Sequence, residues 1–68
     1  MSRPSLIRTR RTKLGMTQVD LAEQVGVREF TIQRWESGAT RPSSGLLVKL
    51  ASALDVRVDE LLLDGAAR

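Results

Sequence analysis

The chain has 68 residues, enough for one domain, and a domain this short buries only about 60% of the surface that its unfolded chain exposes. Histidine and cysteine are both absent, which removes disulfides, the usual first-row metal ligands and any Ser-His or Cys-His nucleophile, so neither an enzyme nor a bound cofactor is expected. Eleven Lys and Arg against eight Asp and Glu leave a net charge of +3 that favours a polyanionic partner; no stretch approaches the roughly 18 to 20 apolar residues that span a bilayer, and the expected location is cytoplasmic.

Apolar residues recur at helical spacing, without the strict alternation of a half-buried strand, so the expected fold class is all-α. A first helix is predicted over Ser5 to Leu14, with Pro4 just before or inside its first turn. Leu6, Ile7 and Leu14 set its inner face, and Gly15 supplies a left-handed position after its end. The same segment is basic: Arg3, Arg8, Arg10, Arg11 and Lys13 crowd together, whereas the last ten residues hold three acids.

Thr17 opens a second helix as N-cap, and Asp20 three residues on completes a capping box. Leu21, Ala22 and Val25 form the inner face of that helix, and Gly26 stops it. After a very short connection through Val27 and Arg28, a third helix carries Ile32 and Trp35 inward and closes at Ser37 and Gly38. Pro42 biases Arg41 away from helical backbone, which makes residues 39–42 a loop. Ser43 or Ser44 caps a fourth helix with Leu47, Leu50, Ala51 and Leu54 in one stripe. A short fifth helix begins near Val58, where Asp59 and Glu60 complement the helix dipole before Leu61 and Leu62. Residues Gly65 to Arg68 are expected to fray, and residues 1–68 form one domain of five helices.

Two short helices joined by a tight glycine turn are the helix-turn-helix arrangement, here over about residues 17–36. Ala22 is small where the two axes approach most closely, and Gly26 takes a backbone conformation that a side chain would penalise. One Phe and one Trp are too few for single-strand binding by base stacking, which leaves duplex readout. With Ile32 pointing inward at about 100° per residue, Phe30 and Arg34 fall on the opposite face, flanked by Gln33 and Thr31.

The runs Met16-Thr17-Gln18-Val19-Asp20-Leu21-Ala22, Gly26-Val27, Ile32-Gln33-Arg34-Trp35-Glu36-Ser37-Gly38 and Arg41-Pro42-Ser43 resemble the Cro and cI repressor class of helix-turn-helix proteins. The likeness continues through Leu50-Ala51-Ser52-Ala53-Leu54-Asp55-Val56 and Glu60-Leu61-Leu62. It implies a compact five-helix, lambda-repressor-like domain whose third helix enters the major groove of double-stranded DNA. It also implies a largely buried ion pair between Arg11 and Glu36, which leaves Arg8 and Arg10 free to meet DNA.

Base contacts are assigned to Arg28, Glu29, Phe30, Gln33 and Arg34. Arg28 and Arg34 each have the paired donors that fit guanine O6 and N7, with a phosphate contact as the alternative. Glu29 accepts from cytosine N4 or pairs with Arg28, Gln33 matches adenine, and Phe30 meets a thymine methyl or packs on the second helix or a partner subunit. Backbone contacts are assigned to Thr17, Gln18, Thr31, Ser37 and Arg41; Gln18 sits where free N–H groups and the helix dipole attract a phosphate. Arg41 is alternatively a solvated loop charge.

The expected function is sequence-specific operator binding by a transcriptional regulator, most simply a repressor, acting as a homodimer. Its contact is placed in the C-terminal third, near Leu61, Leu62 and Leu63, because three consecutive leucines cannot all face one small core. Two other functions fit the same fold: an antitoxin that regulates its own operon and binds a toxin protein, and a helical protein-interaction module without DNA.

Overall fold

A computed structural model describes residues 5–64, and local chemistry explains where each helix starts. α1 spans Leu6–Lys13, capped by the Ser5 hydroxyl, which accepts from the Arg8 N–H at 3.1 Å. α2 spans Gln18–Val25 and opens on a complete capping box: Thr17 Oγ1 accepts from the Asp20 N–H at 3.0 Å, and the Asp20 carboxylate accepts from the Thr17 N–H at 2.9 Å. The Thr17 backbone N–H first, and then the Thr17 hydroxyl, hold the Asp20 carboxyl below its ordinary pKa. α3 spans Glu29–Ser37, α4 spans Ser44–Leu54 with Ser43 rather than Ser44 as its cap, and α5 spans Val58–Leu63. No strand occurs among the described residues. Pro4, Arg3 and the segment 65–68 lie outside them.

The helix ends are equally local. Gly26 closes α2 at φ 85°, and a Cβ added there would meet open space, so its constraint is the left-handed backbone and not packing. Asp55 ends α4 at φ 56°, a conformation in which an aspartate is tolerated better than most residues.

The helices bury one continuous core. Ile7 of α1, Leu21, Ala22 and Val25 of α2, Ile32 and Trp35 of α3, Leu47, Leu50, Ala51 and Leu54 of α4 and Leu61 of α5 form a single cluster. α2 packs on both α3 and α4, α1 rests on α3 and α4, and α5 docks on α4. The close approach of α2 rests on Ala22, which is buried and too small to hold the helices apart.

Three features differ from the sequence reading. Leu14 is the C-cap of α1 and lies 43% exposed, because the helix ends before it and the inward position one turn after Ile7 belongs to Arg11. Arg10 is not free: its Nε donates to the Leu54 carbonyl at 3.2 Å and its Nη2 to the Asp55 carbonyl at 3.5 Å. It neutralises the negative end of α4, where carbonyls have no helical partner. Leu61 is fully buried, so of the three leucines only Leu62 and Leu63 face outward. The start of α1 is also tied to the end of α5, since Asp64 Oδ2 accepts from the Leu6 N–H at 2.9 Å and satisfies a free donor of α1.

Candidate nucleic-acid interface

α3 has one committed face and one free face. Ile32 and Trp35 are buried, which fixes the roll of the helix about its axis. The opposite side then presents Glu29, Phe30 and Gln33 as exposed side chains, with Arg34 half-buried beside them. Arg28 stands exposed at the N-cap and makes no capping hydrogen bond with its side chain. Among the described residues no ion pair joins Arg28 to Glu29, so both charged groups face outward unpaired.

Phe30 is 62% exposed and does not pack into the interior. Its ring instead carries the Arg34 guanidinium, whose Cζ lies 5.4 Å from the ring centroid. The two residues are one helical turn apart, the spacing at which side chains on one face meet, and the contact is a cation–π interaction.

Behind this face a polar network locks α1, α2 and α3 together. Arg11 Nε lies 2.6 Å from Glu36 Oε2 and Arg11 Nη2 lies 3.3 Å from Oε1, a two-armed pair with both side chains about 90% buried. Arg11 Nη1 donates to the Met16 carbonyl at 2.9 Å. The Gln18 amide donates to Glu36 Oε1 at 3.1 Å. Among the described residues no buried side-chain nitrogen or oxygen is left without a partner, so the network is closed.

A family model described as helix-turn-helix matches residues 7–61. The chain belongs to that family. An uncharacterized helix-turn-helix-type transcriptional regulator of Archaeoglobus fulgidus is 44% identical over 57 residues, covering 84% of this chain and 81% of its own length. The transcriptional repressor RstR of the cryptic phage CTXphi of Vibrio cholerae is 35% identical over 51 residues, which is 75% of this chain but 46% of the repressor. Among solved structures, the P22 c2 repressor in complex with synthetic operator 9T superposes with a TM-score of 0.79 at 40% identity, over 81% of this chain and 83% of that one. The N-terminal DNA-binding domain of SinR from Bacillus subtilis gives 0.75 at 33% identity, over 82% and 83%. The helix-turn-helix unit is therefore α2 and α3, and the Cro and cI resemblance, like the five-helix fold, holds.

Within this helix-turn-helix frame the remaining residues fall into two groups. Thr17 is exposed, and its hydroxyl oxygen caps α2. Gln18 is half-buried with one amide N–H held by Glu36, leaving a second N–H and a carbonyl oxygen. Arg41 is exposed in the loop after α3. Thr31 is half-buried on the flank of α3, and the Ser37 hydroxyl is turned back onto its own helix, donating to the Arg34 carbonyl at 3.1 Å. Two roles had no local signature: the Arg10 cap on α4 and the Gln18 bond to Glu36 each join residues on different helices.

The basic segment also divides. Arg11 is neutralised by Glu36 and Arg10 by the end of α4, which leaves Arg8 and Lys13 as the exposed cations of α1. No helix among the described residues is long and apolar enough to cross a membrane.

Proposed function

We propose that this chain binds double-stranded DNA in a sequence-specific way and acts as a transcriptional regulator, by placing α3 in the major groove. One observation carries the reading: Ile32 and Trp35 turn inward, and the side left outside holds Arg28, Glu29, Phe30, Gln33 and Arg34. Guanidinium, carboxylate, amide and an apolar ring match the major-groove edges of guanine, cytosine, adenine and thymine in turn. Thr17, Gln18, Thr31, Ser37 and Arg41 are assigned to the sugar-phosphate backbone, with the start of α2 offering free N–H groups to a phosphate. The operator-bound P22 c2 repressor supports this docking by its similarity. Repression by occupying promoter DNA in the cytoplasm is the simplest mode of action.

The active species in this proposal is a two-fold dimer. Half-sites read by such dimers lie about 34 to 36 Å apart, and the longest dimension of this domain is 27 Å, so two copies fit side by side on one face of the duplex. Leu63, 84% exposed, and Leu62 are placed at that contact, whereas Leu61 belongs to the core. The test is selection of bound duplexes from a random pool, followed by titration at increasing salt. Recovered sites should be palindromic, and affinity should fall by about 0.9 log units per log unit of salt for each phosphate contacted. Failure to enrich any sequence, or affinity indifferent to salt, contradicts the proposal.

A further inference from the structure

Phe30 is the one large ring on the outside of the described chain, and the fold gives it no structural work. It belongs neither to the buried core nor to the partly buried hydrophobics packed against it. What it does is hold Arg34: a guanidinium stacked on a ring loses less rotamer freedom when it meets a partner than one waving in solvent. The two side chains therefore form one rigid unit projecting from the helix.

The dimensions of that unit say what it can address. Base pairs rise by about 3.4 Å, so two groups 5.4 Å apart are close enough to meet adjacent pairs. When the guanidinium lies in the plane of one guanine and donates to O6 and N7, a ring on its face lies out of that plane, on the side of the neighbouring pair. The ring has no hydrogen-bonding group, so it distinguishes neighbours only through apolar contact. In the major groove that contact is the C5-methyl group of a pyrimidine.

We infer that Phe30 and Arg34 read a two-base step together, a pyrimidine bearing a C5-methyl group beside a guanine, and that binding therefore responds to pyrimidine methylation at that position. The inference rests on the DNA-reading function proposed above and adds the chemistry of its target. Thymine and 5-methylcytosine carry the same methyl group in the same place. A cytosine at that step is a weaker target, and methylating it restores the contact.

The test uses the duplex recovered by selection, in which the Arg34 guanine is the position whose preference disappears in Arg34→Ala. Four versions differ only at the neighbouring pyrimidine: thymine, uracil, cytosine and 5-methylcytosine. In fluorescence anisotropy the parent chain should bind the methylated member of each pair about fourfold more tightly, the value expected for burying one methyl group. Phe30→Ala should bind both members of each pair equally while melting like the parent, because Phe30 lies outside the core. Phe30→Leu should keep the methyl preference and relax the guanine preference, because it retains apolar contact without a ring face. Equal binding of the methylated and unmethylated members by the parent chain overturns the inference and leaves DNA reading intact. So does a methyl preference that survives in Phe30→Ala. A response to thymine over uracil without one to 5-methylcytosine over cytosine confines recognition to thymine and overturns the methylation response. If no duplex is enriched at all, the DNA-reading proposal fails and this one fails with it.

Discussion

Glu36→Ala should remove most of the stability of the domain. Glu36 is the shared acceptor of the buried network: it takes Arg11 Nε at 2.6 Å, Arg11 Nη2 at 3.3 Å and the Gln18 amide at 3.1 Å. Without it the Arg11 guanidinium keeps only the Met16 carbonyl, while the residue stays 9% exposed. Stranding one partner of a buried pair costs about 3 to 5 kcal/mol. At roughly 0.05 to 0.15 kcal/mol per residue, a 68-residue domain has about 3 to 10 kcal/mol in total. Urea unfolding followed by Trp35 fluorescence and far-ultraviolet circular dichroism measures the change directly. The double variant Arg11→Met with Glu36→Leu separates a stranded charge from lost packing. It replaces the pair by apolar groups of similar length and should recover to within about 1 kcal/mol of the parent. A loss below about 1 kcal/mol in Glu36→Ala would mean that the pair behaves like an exposed one. A double variant as unstable as the sum of its singles would refute the stranded-charge argument.

Two further outcomes follow from the contacts of individual residues. Arg10→Ala should lower stability by about 1 kcal/mol, by uncovering the last carbonyls of α4, and leave DNA affinity unchanged; weaker DNA binding with an unchanged melting curve would return Arg10 to the interface. The Asp20 carboxyl should titrate below 3.8 when followed by nuclear magnetic resonance, because the folded state favours its charged form through the Thr17 backbone N–H and then the Thr17 hydroxyl. A depressed folded value means that the capping contribution is complete above the ordinary aspartate range and is lost as pH falls through the folded value. A midpoint at or above 3.8 would show that the capping box does not form in solution.

Much of the fold is legible in the sequence because its signals act over three or four residues. Thr17 and Asp20 announce the start of α2, Gly15 and Gly26 the ends of α1 and α2, and the spacing of Leu47, Leu50, Ala51 and Leu54 the inward stripe of α4. The outward placement of Phe30 follows from the inward placement of Ile32 by rotation alone, and the two agree in the structure. What escapes is side-chain chemistry between distant positions. Arg10 reads as one more cation of a basic run, yet its partners lie 44 and 45 residues away at the end of α4. Asp64 reads as a charge near a frayed tail, yet it caps α1 across 58 residues. Leu14 fails for a different reason: its spacing suits the inner face, but the helix stops one residue too early to carry it there. Leu61, Leu62 and Leu63 show the limit of periodicity, which says that the three diverge without saying which one turns in.

Contact between the outer face of α3 and DNA is read residue by residue from amide chemical-shift mapping. The isotope-labelled chain is titrated with the selected duplex, and the largest changes should fall on residues 28–34, on Thr17 and Gln18 at the start of α2, and on Arg41. Changes concentrated instead on the outer faces of α4 and α5, at Val48, Lys49 or Leu62, with residues 28–34 undisturbed, would contradict it.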